Sequence, residues 1–358
     1  MVEWKKLGEV IKVHTGDQLN RADMLDDGLY PVVNGGRDYS GYTEKYNEEA
    51  NTITISQGGE SAGFVNWIDV RFWAGAHCYV IEETDSFDKR FLYHSLKNKE
   101  REFQTSKQGA GIPGLNRSTL YNQIIPVPSI SEQQRTVEQL DTFTSSIDNL
   151  KQQIAQRRKQ YEYYRDQLLD LEGKEGVEMK TLGEIGDVCM CKRIMKDQTS
   201  DNGEIPFYKI GTFGGKADAF ITKELFKEYK SKYSYPKLGE ILISASGTIG
   251  RSVVFDGEDA YFQDSNIVWI ANDEKLVTNR YLYYFYQIAE WKTDGGTIKR
   301  LYNYNLKNTS IPVPSLSEQT RIVSILDTFE TSIQNLEAQL KQREKQYEYY
   351  RNKLLTFE

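Results

Sequence analysis

Cysteine is scarce in this chain: three among 358 residues, at Cys78, Cys189 and Cys191. So small and odd a set excludes a disulfide-built fold and points to a reducing, cytoplasmic compartment. Cys189-Met-Cys191 has no second pair at zinc-site spacing. Histidine is equally thin, and His14, His77 and His94 fall on separate predicted elements, so each reads as structural or exposed. Long apolar runs are missing. No stretch approaches the roughly 20 residues of a membrane span, and Met1-Val-Glu-Trp-Lys-Lys lacks a signal-peptide pattern. Catalytic signatures are missing too. No Asn-Pro-Pro-Tyr or Asp-Pro-Pro-Tyr tetrapeptide supports an amino-methyltransferase site. Gly211-Thr-Phe-Gly-Gly-Lys216 lacks the first glycine and the final hydroxyl of a phosphate loop, because Ile210 and Ala217 stand there. No His-Glu-x-x-His helix occurs. With neither a catalytic site nor a metal site expected from these residues, an enzyme is not expected. Aromatic residues, in contrast, are plentiful, with 24 tyrosines, so ordered cores are expected and a disordered chain is excluded.

One stretch occurs twice. Ile125 to Leu169 and Ile311 to Leu355 align without a gap at an offset of 186, with about two-thirds of the positions identical. Each copy predicts one long helix. The prolines of Pro126-Val-Pro128 hold the approach extended. Ser131 is the expected N-cap, with Gln134 as its box partner and Glu132 in the first turn. In the second copy Ser317 caps beside Glu318, and Thr320 in place of the glutamine predicts a weaker cap. Apolar residues then step by three and four: Leu140, Phe143, Ile147, Leu150, Ile154, Arg157, Tyr161, Tyr164, Leu168, Leu171. The second copy repeats the seam from Leu326 to Phe357. A seam sustained over about five heptads predicts a coiled coil. Arg157 and Arg343 interrupt both seams at the same register. Either their stems lie along the seam with wet heads, or they set register or meet a partner.

The segments before each helix are also related, more distantly. Leu7-Gly8-Glu9 is matched by Leu182-Gly183-Glu184, and Thr52–Ser56, which alternates like a half-buried strand, by Glu240–Ser244. Residues 87 to about 103 predict one amphipathic helix, and Asn279-Arg-Tyr-Leu-Tyr-Tyr284 begins its counterpart. The chain therefore divides into a globular segment at 1–124, a central long helix and spacer at 125–172, a second globular segment at 173–310 and a C-terminal long helix at 311–358. The fold class is mixed α/β, an internal repeat whose scaffolds agree and whose loops differ. Loops on a rigid frame are where recognition sits.

Pro-Val-Pro-Ser followed by Ser-Glu-Gln and a long helix, once centrally and once at the end, resembles the specificity subunit of type I restriction-modification systems. The resemblance extends over essentially the whole chain, including the Ile-Ser-x-x-Gly and Gly-Ile-Pro-Gly-Leu-Asn features. It implies a subunit without catalytic activity, with two target-recognition domains that each read half of a split double-stranded DNA sequence. It implies that the long helices pair antiparallel, with pseudo-twofold symmetry, and set the gap between the halves. Two methyltransferase subunits would dock on this frame and methylate adenine with S-adenosylmethionine, which this chain does not itself hold. Restriction and translocase subunits could join them. A subunit of a fused enzyme that cuts on both sides of its site is the neighbouring alternative, and a coiled-coil scaffold with no DNA role is the distant one.

Charge qualifies this picture. The chain carries 45 basic against 52 acidic side chains, with 14 against 18 in residues 1–124 and 19 against 19 in residues 173–310. Phosphate neutralisation supplies most non-specific affinity, so DNA binding by the chain alone should be weak, with partners supplying much of the grip. Base edges are read by arginine or lysine on guanine and asparagine or glutamine on adenine. The candidates are Arg37, Tyr39, Gln57, Lys107, Gln108 and Arg117 in the first half. In the second they are Lys209, Thr212, Lys216, Ser246, Thr248, Arg251, Lys299, Arg300 and Asn303. Lys299-Arg300 stands where the first half has Pro113-Gly114, so the halves should differ there. Tyr161 and Tyr164 fall on the seam and are expected in the helix pair. Tyr163 and Tyr349 fall off it and, with Arg157 and Arg343, are the candidates for meeting a partner.

Overall fold

The repeated stretch forms two helices of 40 residues each, Ile130–Leu169 and Leu316–Leu355. The structure is a computed structural model and describes residues 2–82, 87–106, 114–295 and 299–357. The caps lie two residues earlier than expected. The Ser129 hydroxyl accepts from Glu132 N at 3.4 Å, and the Glu132 carboxylate accepts from Ser129 N at 3.1 Å, closing a capping box. Ser129 is the first residue released from proline restraint, so the helix starts as soon as it can. Ser315 caps the second helix at 3.2 Å. That box stays open because Glu318 turns instead to Arg321, at 2.7 and 2.8 Å.

The chain packs as two compact units, and both cut through the long helices. The first joins residues 1–153 to 336–358; the second is residues 154–335. Each therefore holds one globular segment, the start of the helix that follows it and the end of the other helix. The four ranges read from the sequence describe the order of the chain, whereas the compact units follow the apolar seam onto the globular segments.

In the first unit a four-stranded antiparallel sheet runs in the order Val13–Thr15, Cys78–Ile81, Thr52–Ser56, Val65–Ile68. Ile53, Ile55, Tyr79 and Ile81 face the main core, where Leu7, Phe91, Leu96, Leu120 and Ile125 pack. Thr54 and Ser56 are buried as well, so this strand is not half exposed as its alternation suggested. Their registered partners Val80 and Cys78 lie in a second cluster with Val33, Phe72 and Ala74, residues of or beside a three-stranded sheet that covers that face. Cys78 sits there with its thiol pushed up to about 12 by burial, and so stays protonated. The expected helix over 87–103 is two helices, Lys89–Asn98 and Glu100–Thr105. A ribbon pairing Glu3–Lys6 with Ile124–Val127 leads into the long helix.

The second unit repeats this plan. Its four-stranded sheet orders Gly186–Cys189, Ile267–Asn272, Ile241–Ser244, Ser252–Val254. Its ribbon pairs Glu178–Thr181 with Ser310–Val313. The second core cluster is larger here, with Phe207, Phe213, Phe226, Tyr261, Phe262 and Trp269. Phe226 comes from a helix, Lys223–Lys232, that has no counterpart among the described residues of the first unit.

Within the first unit the helix segments run antiparallel. Phe143 stacks on Tyr350 at 5.2 Å, while further along Asn149 and Gln153 line one notch with Gln339 and Gln342. Within the second, Tyr164 stacks on Phe329 at 5.4 Å. These are the same contact, since each residue lies 186 from its counterpart. Arg157 lies 5.8 Å over Phe329 and Arg343 5.8 Å over Phe143, so both arginines lay their heads on a ring of the seam. Tyr347 is buried in the seam beside Leu140 and Ile147, as expected, whereas Tyr161 is half-buried and turns to the globular segment, where its hydroxyl donates to Gln287 at 2.7 Å. Tyr164 and Tyr350 use one ring face in the seam and leave 44% and 41% exposed.

Candidate nucleic-acid interface

Each globular segment is fixed to its helix by the same two devices. The first is a buried glutamine. Gln133 donates to Pro128 O at 3.0 Å and accepts from Asp88 N at 2.8 Å. Gln319 donates to Pro314 O and Leu276 O, both at 2.9 Å, and accepts from Thr278 N at 2.9 Å. The second device is an arginine on an aspartate. Arg90 meets Asp141 at 2.6 Å, and Arg280 meets Asp327 at 2.6 Å and Glu330 at 2.5 Å. In the first unit His94 joins in, with Nε2 2.8 Å from Asp141 and Nδ1 2.8 Å from the Tyr347 hydroxyl. Burial works against the Asp141 carboxylate, but hydrogen bonds from His94 and Arg90 outweigh it and hold its pKa below the ordinary range. In the second unit Tyr284 takes the histidine's place and donates to Asp327 at 2.5 Å.

These anchors leave a cleft of about 1080 Å³ on the second unit, lined by Arg193, Lys209, Gln263, Asn266, Arg300 and Asn303 among others. Arg300 Nη2 donates to Ser265 O at 2.6 Å. Ser246 donates to Asn266 Oδ1 at 3.0 Å, and Arg193 pairs with Asp264 at 2.9 Å. Tyr302 and Tyr304 stack at 5.9 Å and remain exposed at one rim. Asp294 accepts from Tyr304 and Asn305, bonds that lower its carboxyl pKa. The wall thus offers amide, guanidinium and aromatic groups, the set that reads base edges and stacks on exposed planes.

The predicted residues divide. Lys209, Arg300 and Asn303 come together in this cleft. Lys209 is paired with Asp218 at 2.8 Å. Thr212 folds back on the Lys209 backbone at 3.1 and 3.2 Å and serves the loop. The Arg251 guanidinium turns onto Phe213 O at 3.0 Å, and Thr248 lends its carbonyl to Ser244, so both brace the Gly-rich loop. Lys216 and Lys299 are exposed. In the first unit Gln57 is spent on the Tyr79 hydroxyl at 3.1 Å. Arg37 lies 5.5 Å over Phe64, in a mixed-charge groove with Arg90, Lys97 and Glu100. Tyr39 and Arg117 are exposed. Lys107 and Gln108 lie outside the described residues. Tyr163 and Tyr349 are the most exposed helix tyrosines, at 58% and 60%. Sequence reasoning missed Arg193, Gln263, Asn266 and the Tyr302/Tyr304 pair. The tyrosine pair had a signal in its spacing beside Arg300; the others had none, because strand order brings them in.

The profile of the type I restriction modification DNA specificity domain matches residues 1–157 and 174–344. A putative type I restriction enzyme specificity subunit of Haemophilus influenzae is 47% identical over 99% of this chain and 96% of its own length. The EcoR124I/EcoR124II specificity subunit of Escherichia coli is 29% identical over 99% and 94%. Among solved structures, the S subunit of a type I system from M. genitalium superposes with TM-score 0.66 at 20% identity, covering 100% of this chain and 97% of that one. Another structure, described for assembly and conformational transition of a type I system, superposes at 0.57 with 16% identity, covering 99% and 97%. The fold agrees with theirs. With its two matched domains and its full-length likeness to these relatives, the chain belongs to the family of type I restriction-modification DNA specificity subunits.

Proposed function

We propose that each unit reads one half of a split double-stranded DNA target, and that this chain performs no chemistry of its own. Two adenine methyltransferase subunits, carrying S-adenosylmethionine, dock on the helical frame, and restriction subunits can join the complex. The observation that carries this reading is one backbone frame built twice with different outward side chains. Leu115 N donates to Gln57 O at 2.7 Å, and Leu301 N donates to Ala245 O at 2.9 Å at the matching place. A structural scaffold gains nothing from two loop sets on one frame. Tyr163 and Tyr349, exposed at matching places, are the proposed contacts for the methyltransferases. Adenine must leave the duplex to be methylated, and that step belongs to the partner. The near-balanced charge of both globular segments supports a grip on phosphate that is shared with partners.

The test is co-expression with the methyltransferase encoded beside this chain, followed by mapping of methylated adenines across the host genome. Two short defined halves at a fixed gap are expected, and exchanging residues 1–124 should change one half only. A continuous motif would sink the two-reader scheme. No methylation from an assembled, cofactor-bound complex would sink the DNA role.

A further inference from the structure

Residues 115–123 and 301–309 share one pattern of backbone hydrogen bonds. After the matched leucines, Leu120 N donates to Asn116 O at 3.1 Å, and Leu306 N donates to Tyr302 O at 3.0 Å. Gln123 N donates to Leu120 O and Thr309 N to Leu306 O, both at 3.2 Å. Leu7 N and Leu182 N then close the frame on Gln123 O and Thr309 O. All four leucines at 115, 120, 301 and 306 are buried. The backbone at residue 117 is therefore held as the backbone at residue 303 is, 186 positions on. Yet the side chains differ: arginine at 117 and asparagine at 303, both exposed.

Neither side chain is committed elsewhere. Among the described residues the Arg117 guanidinium has one partner, the Tyr79 ring at 5.8 Å, and makes no hydrogen bond. The Asn303 amide makes none either, and it lines the second unit's cleft. An exposed arginine in a DNA reader could be a phosphate contact. An asparagine at the same place can donate to a phosphate oxygen but brings no charge to neutralise it, so the two residues are not equivalent in that role. A position that holds a charged fork in one unit and a neutral amide in the other is suited to reading different letters. An arginine fork matches guanine O6 and N7, and an asparagine amide matches adenine N6 and N7.

We propose that positions 117 and 303 are one specificity position used twice, with Arg117 reading a guanine in the first unit's half of the target and Asn303 reading an adenine in the second unit's half. This rests on the reading that each unit serves one half. It predicts that each half contains the corresponding base on one strand.

The complex with its methyltransferase is prepared with Arg117→Asn and, separately, Asn303→Arg, and methylated adenines are mapped. Arg117→Asn should lower discrimination at one guanine by roughly 10-fold or more while the other half stays unchanged. Asn303→Arg should shift one adenine of the second half towards guanine. Arg117→Lys keeps the charge and loses the fork, so it should hold methylation near wild type while relaxing the same guanine; it decides the matter if the asparagine variant fails to assemble. Three results would overturn the proposal: an unchanged motif in these variants, methylation weakened uniformly at an unaltered motif, or a wild-type target whose first half has no G·C pair or second half no A·T pair. An unsplit wild-type motif would instead strike the two-reader scheme itself.

Discussion

Replacing Gln319 by leucine should destabilise the second unit by about 3–6 kcal/mol. The side chain is fully buried and joins three pieces of chain: Pro314 at the helix approach, Leu276 in the preceding turn and Thr278 at the start of Asn279–Tyr286. Leucine fills much of the volume but leaves two carbonyls and one N–H without partners, and each such group costs about 1–3 kcal/mol when water cannot replace the partner. The lower half of the summed range is expected, because the Leu276 side chain is half exposed and water can approach that turn. Gln319→Glu separates packing from bonding. It keeps an acceptor for Thr278 N but turns a second oxygen towards two carbonyls, so it should be as damaging as leucine at neutral pH. It should recover partly in acid, where the protonated carboxyl donates to one of the carbonyls. Hydrogen exchange of peptides covering residues 276–286 reads the second unit by itself. Thr320→Ala, which removes only a bond to Leu316 O on an exposed face, is the control and should fall within about 0.5 kcal/mol of wild type. If Gln319→Leu also fell within 0.5 kcal/mol, with Thr278 still protected, the glutamine would not be the pin described.

Acid should weaken the first unit selectively. Burial above all, with the Arg90 and Arg351 charges, lowers the His94 pKa despite Asp141, and the Tyr347 hydroxyl and the Tyr93 ring are the other titratable groups against the ring. The unfolded chain takes up this proton near pH 6.5, so the histidine's contribution is complete above that value and is lost as pH falls through the folded pKa. His94→Gln should flatten the fall in exchange protection of residues 89–98 between about pH 7.5 and 5.5, and an unaltered fall would refute the assignment. At the first helix start, Ser129→Ala should cost about 1 kcal/mol and Ser131→Ala little. Thermal unfolding of both variants decides between the two caps, and equal losses would return the cap to Ser131.

How much of this was legible in the chain depends on the kind of interaction. The long helices were legible because a seam from Leu140 to Leu171 and a copy 186 residues on state the same period twice. The cap was misplaced because Ser129-x-x-Glu132 and Ser131-x-x-Gln134 are both box patterns, and only the release from Pro128 chooses between them. Thr54 and Ser56 were read as facing water because they are polar, although a second sheet covers them; alternation reports two faces without saying whether the second is covered. The contrast of Gly114 with Arg300 was legible by offset alone. Arg193 beside Asp264 was not, because a pair 71 residues apart is set by strand order. The compact units were hidden for a related reason: a helix is contiguous in sequence, while its apolar seam serves two globular segments in turn.

The comparison of the two copies also separates kinds of surface. Positions that agree and point inward, such as Arg90 and Arg280, Asp141 and Asp327, or Gln133 and Gln319, need no functional explanation, since packing fixes them. Positions that differ and point outward, such as Arg117 and Asn303, are free of packing and carry the difference in what each unit meets. The third class is the informative one. Lys159-Gln-Tyr-Glu-Tyr-Tyr-Arg165 is identical to Lys345-Gln-Tyr-Glu-Tyr-Tyr-Arg351, although Tyr163 and Tyr349 are largely exposed and Tyr164 and Tyr350 are half so. The edge contacts within these pairs, 5.4 Å and 5.2 Å between rings, hold only neighbours on one helix and do not require tyrosine at both places. An exposed aromatic surface kept the same in two copies that differ elsewhere argues for one partner taken up twice. An exposed polar surface that differs argues for two targets. Under the proposed function, in which two copies of one methyltransferase serve two unlike half-sites, both surfaces are needed on a single chain.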